Sequence, residues 1–282
     1  GVGNNADSDD DGDGWTDADE IRLNADPLSA SQQPVFPWVK ENKQTILDVL
    51  DSTKDSDWLL TPEGSLSGYC TDQTHEVKTP DYGPALKEIE NYLTTNKRNM
   101  LLATGHVESN GLPYNQIRVY KQGQFNGAYA KQLLTNDYDA AGELFYYIAG
   151  NQPHYYYIDE KESVVASSLI CNDIWAFPKM SPNGNPYYYR EFRKYGVKVV
   201  FCSVNCNVDV LDPLVYEWHE NHLRLFSREF GMYTVVSGAT TDMRGKPVNH
   251  IQCPSGIIGP DGEWIEKCKD SGPDIATVEI KL

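Results

Sequence analysis

No stretch of this 282-residue chain approaches the roughly 20 consecutive apolar residues of a membrane-spanning helix, so no membrane span is expected. Basic residues are scarce. Lys and Arg number 24 against 41 Asp and Glu, a formal net charge of −17. A phosphate backbone needs a basic face, so no nucleic-acid partner is expected. No CxxC pair occurs among the six cysteines, which leaves a zinc ribbon without support. None of the six histidines sits in a recognisable nucleophile motif. The opening "GVGNNADSDDD" lacks the pattern of a signal peptide. The chain is thus expected either to be cytosolic or to have had an export signal removed.

What is present suits a packed protein. Hydrophobic residues make up 40% and aromatics 11%, with 18 Tyr. That composition supports one large domain, or one domain with a small appendage, and argues against global disorder. The cysteines are Cys70, Cys171, Cys202, Cys206, Cys253 and Cys268. Cys202 and Cys206 are close in sequence, and Cys253 and Cys268 flank a short expected hairpin. Either pair could bridge in an exported protein, with at least one or two thiols left free.

Residues 1–33 differ from all that follows. Dense aspartate repels itself out of helix and strand, and such a run is ordinarily a disordered tail. The spacing argues for more. Asp9, Asp11, Asp13, Gly14, Asp17 and Glu20 reproduce D-x-D-x-D-G-x-x-D-x-x-E, with Trp15 placed to lend a backbone carbonyl. This is the oxygen-ligand pattern for Ca²⁺, closed by a bidentate glutamate. A second register, Asp7, Asp9 and Asp11 with Gly12, is also open. A structural Ca²⁺ loop is expected, and no organic cofactor. The following "DADEIRLNADPLSA" resembles the acidic thrombospondin type 3 repeats of exported bacterial proteins, which implies a secreted or periplasmic setting.

From residue 34 to 282 helical and strand patterns alternate. "VKENKQTILDVLDS" places Val39, Ile46, Val49 and Leu50 on one helical face, and "GPALKEIENYLTTN" does so with Leu86, Ile89 and Leu93. Strands or hairpins are expected at "DWLLTPEG", "NMLLATGHV", "IRVYKQGQFNGAYAKQLL", "YYYIDEKESVVASSLIC", "VKVVFCSV" and "MYTVVSGA", and in the tail near 251–258, 263–267 and 275–281. Helices segregated between paired strands point to a layered α/β sandwich.

Three polar residues stand at or just past the ends of apolar strands: Glu63, Lys131 and Cys171. Singly each has a bland reading, as a turn residue, a surface lysine and an inert buried thiol. Together they make chemical sense. A thiol must become a thiolate to attack. A partly buried carboxylate can take that proton and later give it to a leaving amine. An ammonium can hold the oxyanion formed at the attacked carbon.

"LLTPEGSLSGY", "YAKQLL" and "SLICNDIW", in this order, resemble the three signature segments of the carbon–nitrogen hydrolase (nitrilase) superfamily. The resemblance spans residues 37–282. It implies a four-layer αββα sandwich and a Glu–Lys–Cys triad. On that basis Glu63 is the expected general base, Lys131 the oxyanion-stabilising cation and Cys171 the nucleophile. The backbone N–H of Asn172 is the expected second oxyanion donor. Glu143 is the candidate for an orienting glutamate, with Asp137 and Asp139 as rivals. The family usually opens with a strand, and here only "VFPWV" (35–39) could supply one. "CND" resembles the string of N-carbamoyl-amino-acid amidohydrolases, but the arginines that follow there are absent. The Cys-Trp-Glu of nitrile-hydrolysing members is absent too. An amide is the expected substrate. The alternatives are a non-catalytic, calcium-dependent binding module on the same fold, or acyl transfer to an amine. A homodimer is allowed. His219 and His222 on one helix could ligate a metal, though a solvated face is the commoner fate. The Tyr triplets of "PHYYYIDE" and "NPYYYREF" suit either a substrate pocket or packing.

Overall fold

The computed structural model describes residues 28, 37–68, 81–135, 143, 146–176, 184–205, 213–240 and 253–282, with backbone only for 37–38 and 213–216. The acidic-segment residues Asp9, Asp11, Asp13, Trp15, Asp17 and Glu20 lie outside them, as do Asp137, Asp139, Cys70 and Cys206.

Period-two alternation in strands builds the layers. In β2 (Asn99–Val107), Met100 and Leu102 join one apolar cluster, while Leu101 and Ala103 join another. In β3 (Pro113–Lys121), Ile117 and Val119 face the second cluster and Tyr120 the first. Side chains on opposite faces of a pleated strand must find separate cores, so this sheet is covered on both sides. Helices α1 (Pro37–Ser52) and α2 (Tyr82–Asn96) cover the outer face with Val39, Ile46, Leu50, Leu86, Ile89 and Leu93. Val49, expected in the same stripe, is only half-buried and lines a groove. The inner face packs on a second sheet.

The first sheet has the order β1-β2-β3-β4, with β1 spanning Trp58–Leu60 and β4 Gln124–Ala130. β1 runs parallel to β2, and the rest is antiparallel. The second sheet has the order β10-β9-β8-β7-β6-β5. Its strands are β5 (Tyr155–Tyr157), β6 (Val165–Ile170), β7 (Val197–Val204), β8 (Tyr233–Gly238), β9 (Gly256–Ile258) and β10 (Trp264–Lys267). β6, β7 and β8 are parallel neighbours. The crossovers are helical, as parallel pairs require. They are the short α3 (Asn172–Trp175) with α4 (Tyr188–Lys194), then α5 (Pro213–Phe230). Tyr189, Phe192, Leu223 and Phe226 bring α4 and α5 into the core of the second sheet. The result is the four-layer αββα sandwich.

Three expectations are corrected. Residues 275–281 alternate as a strand should, with Ala276, Val278 and Ile280 half-buried and Ile275, Thr277 and Glu279 exposed. Yet they form no strand, because alternation sets faces but a ladder also needs a partner edge. That stretch and the outer edge of β1 line one cavity of about 2180 Å³, with α1 and the second sheet as its other walls. "VFPWV" does not supply an opening strand either, since Pro37 to Val39 begin α1. The disulfide candidates are unbridged: Cys202, Cys253 and Cys268 are all free thiols. Cys268 N–H donates to Ser255 O (2.9 Å), a register that sets Cys268 against Ser255 and not Cys253.

Candidate active site

Glu63 follows β1 in a turn that stays tied to β2. Thr61 N–H donates to Leu101 O (3.1 Å), and Ser65 N–H to Ala103 O (2.9 Å). Ser65 Oγ donates to Thr61 Oγ1 (2.8 Å), and Ser203 Oγ on β7 donates to Thr61 O (2.7 Å). The turn is thereby pinned to both sheets, and Glu63 is 1% exposed.

Lys131 directly follows β4 and is fully buried. Its N–H donates to Asn115 O, and its carbonyl accepts from Gly150 N–H, both at 2.8 Å. Residue 150 must be glycine, since a Cβ there would collide with Ala130 O. The ammonium lies between two carboxylates, 2.8 Å from Glu63 Oε1 and 2.7 Å from Glu143 Oε2. Glu143 also accepts from Thr135 N–H (2.9 Å) and Thr135 Oγ1 (3.1 Å). Of the orienting candidates, Glu143 is thus in contact with the lysine. Two carboxylates around one ammonium form a cluster whose charges satisfy one another only with excellent geometry.

Cys171 directly follows β6 in a turn of unusual shape. Its φ of 45° and ψ of −107° lie outside the basins L-residues prefer. Its N–H donates to Ser203 O (2.9 Å), which continues the β6–β7 pairing into the turn. The thiol is buried, with Sγ 4.0 Å from Asn205 O. Asn205 also reaches the carboxylate: its N–H donates to Glu63 Oε2 (2.8 Å). One residue at the end of β7 therefore touches both Glu63 and Cys171.

Asp173 joins the Cys171 and Lys131 turns. It is fully buried, and its two oxygens accept from Tyr129 OH (2.8 Å) and from the N–H groups of Gln132 (3.1 Å), Leu133 (2.7 Å) and Ile170 (3.0 Å). Asn172 Nδ2 adds a bond to Leu133 O (3.0 Å). Lys131 sits inside the loop so stapled.

Burial governs the electrostatics. It pushes the Glu63 carboxyl up to about 7 against the opposing pull of Lys131, with Glu143 adding to the rise. Burial also raises the Cys171 thiol well above its ordinary value, and the Glu63 charge raises it further. Asp173 is raised by burial and held back by its N–H donors. A carboxyl poised near neutrality beside a thiol that resists ionisation is an arrangement for coupled proton transfer.

The cavity beside β1 reaches this cluster at Glu63 and Asn205, and neither Lys131 nor Cys171 lines it. A smaller one, about 340 Å³, is lined by Leu133, Tyr187 and Tyr188. The other triplet tyrosines mostly pack: Tyr156 on Trp58 and Phe201, Tyr155 on Phe192 and Tyr195, Tyr189 on Phe226. His219 stacks on Trp175 and His222 on Trp218. Among the described residues no group of three or more His, Cys, Asp or Glu is placed to hold a metal. Sequence reasoning missed the parts played by Asn115, Asp173 and Asn205. Only Asp173 carried a signal, a charge just past the end of a buried apolar strand.

Residues 28–282 match the family model described as carbon-nitrogen hydrolase. No curated protein matches the chain. Among solved structures, a glutamine-dependent NAD⁺ synthetase from Acinetobacter baumannii superposes with a TM-score of 0.66 at 18% identity. That match covers 84% of this chain but only 41% of the synthetase. A cysteine-to-alanine variant of an amidase of the nitrilase superfamily from Nesterenkonia gives 0.64 at 17% identity, over 83% of this chain and 82% of the amidase. A glutamate-to-glutamine variant of that amidase, with the acetamide moiety of fluoroacetamide added at its active-site cysteine, gives 0.62 at 17%, over 81% of each. These likenesses establish a shared fold.

Proposed function

Because the chain belongs to the carbon–nitrogen hydrolase family, we propose that it cleaves an amide C–N bond through a cysteine thioester, with Glu63, Lys131 and Cys171 as its reacting groups. The observation that carries this reading is Asn205, whose main chain touches both the raised carboxyl of Glu63 and the thiol of Cys171, while Glu63 shares an oxygen with Lys131. Glu63 takes the thiol proton as the sulfur attacks the amide carbon. The tetrahedral oxyanion is held by the Lys131 ammonium and the Asn172 backbone N–H. Glu63 returns its proton to the departing amine nitrogen as the C–N bond breaks, which leaves a thioester on Cys171. Glu63 then takes a proton from water, and the hydroxide adds to the thioester. Collapse releases the acid, and Glu63 gives its proton back to the sulfur. An amine in place of that water would give acyl transfer by the same steps.

A panel of amides, nitriles and carbamoyl compounds assayed for ammonia release, with intact-mass spectrometry of the protein, tests this. An acyl adduct is expected on the native chain and none on Cys171→Ala. An adduct that persists in the alanine variant sinks the assignment.

For residues 1–33 we propose a structural Ca²⁺ loop built on Asp9, Asp11, Asp13, Trp15, Asp17 and Glu20, in a secreted or periplasmic protein, on the strength of their spacing. Chelation is expected to lower the melting temperature, since a ligand bound only by the folded state stabilises it. An unchanged melt overturns that loop.

A further inference from the structure

We propose that Asn115 is a positioning residue for this chemistry: its side-chain nitrogen bridges Glu63 and Glu143 and so selects which oxygen of Glu63 takes the thiol proton. The inference rests on the reading of Glu63 as the base.

Asn115 lies on β3, opposite Gly105 of β2, and is 3% exposed. Its Nδ2 is 2.7 Å from Glu63 Oε1 and 2.6 Å from Glu143 Oε1. An amide nitrogen carries two hydrogens, so one goes to each carboxylate. Its own carbonyl accepts the Lys131 N–H (2.8 Å). Asn115 thus contacts every charged member of the cluster.

The lone pairs then decide the geometry. Glu63 Oε1 accepts from both Lys131 Nζ (2.8 Å) and Asn115 Nδ2, which fills its two acceptor sites. Glu63 Oε2 accepts from the Asn205 N–H, on the residue that also meets Cys171. Oε2 is therefore the oxygen left with room for a proton, on the side of the thiol. Without Asn115, Oε1 regains an acceptor site and competes for that proton.

One further observation separates positioning from packing. Among the described residues, Asn115 Oδ1 is buried with no hydrogen-bond partner. Buried amides placed for structure use both ends. This one is held by its donor end alone, and both donations go to carboxylates.

The groups facing Glu63 are Lys131 past β4, Glu143, Cys171 past β6, the Asn205 N–H past β7 and Asn115 on β3. Burial raises the Glu63 carboxyl, and the Asn115 bond lowers it. Removing that bond moves the ionisation up.

The test compares the native chain with Asn115→Leu, which matches the volume without donors, and Asn115→Ser, which keeps one hydroxyl. Two pH profiles are read: kcat/KM for ammonia release from the best amide, and the rate of Cys171 alkylation by iodoacetamide. The acid limb of both is expected to move alkaline, by about one pH unit in Asn115→Leu and less in Asn115→Ser. Where the leucine variant does not fold, the serine shift decides. A uniform drop in rate with the limb unmoved overturns the positioning role and leaves the amidase reading intact. If no amide is turned over, the amidase reading fails alone. The alkylation profile then still decides, a shifted limb supporting Asn115 and an unshifted one overturning it.

Discussion

The two halves of the site are held in place by different means. Glu63, Lys131 and Glu143 are fixed through their side chains, by ion pairs of 2.7 and 2.8 Å and by donors from Asn115, Thr135 and Asn205. Cys171 is fixed through its main chain: its N–H is locked to Ser203 O, while its sulfur makes a single long hydrogen bond among the described residues, to Asn205 O at 4.0 Å. The difference follows from what each must do. Buried charges need compensation at every moment, so they carry their own scaffold. In the proposed function Cys171 is the nucleophile and must leave one direction open for a substrate, so its scaffold lies behind it.

That contrast can be broken most forcefully at Lys131. Lys131→Met leaves Glu63 and Glu143 facing each other without a cation. Loss of about 3–5 kcal/mol is expected, the cost of orphaning a buried charge, read from urea unfolding. The alanine variant at Cys171 removes one buried sulfur and orphans no charge, so it should unfold within about 1 kcal/mol of the native chain. Equal losses at the two positions would erase the distinction.

A smaller effect is expected from pH. Glu63 keeps its proton up to about 7 in the folded chain, against 4.5 when unperturbed. Between those values the native state binds the extra proton. Stability contributed by this group therefore falls as pH rises through that window and levels off above it. On the proposed mechanism activity moves the other way, rising through pH 7 as Glu63 ionises. Melts of the native chain and Glu63→Gln from pH 4.5 to 8 should differ in slope only there. A slope unchanged in the glutamine variant assigns it to another group.

A further variant tests the staple between the halves. Asp173→Asn replaces one acceptor oxygen with a donor facing N–H groups or the Tyr129 hydroxyl. A loss of about 1–3 kcal/mol is expected, with kcat reduced more than KM is raised. A stability loss with unaltered kinetics would show that Asp173 holds the fold but not the spacing of Lys131 and Cys171.

The layered sandwich was legible because alternation and helical stripes depend on local sequence, and residues such as Leu86, Ile89 and Leu93 declare their faces by spacing alone. Glu63, Lys131 and Cys171 were legible as ordered segments. Asn115 was not. In "LPYNQIRVY" it reads as one polar residue in an alternating strand, and its partners lie 52 and 28 residues away. Asn205 acts through its main chain, which side-chain identity does not report. Residues 275–281 were overread for the opposite reason: their alternation is correct, but pairing is a tertiary event. The disulfide candidates failed likewise, since closeness in sequence does not fix register.

The turn at Cys171 has one further consequence. A backbone held at φ 45° and ψ −107° costs a residue with a Cβ on the order of 1–3 kcal/mol, and glycine much less. Folding alone would favour glycine at this position, whereas the proposed bond cleavage requires sulfur. A lineage selected only for abundance and solubility would thus drift toward losing the thiol and would gain stability by doing so. In this fold, the inert descendant lies one substitution downhill.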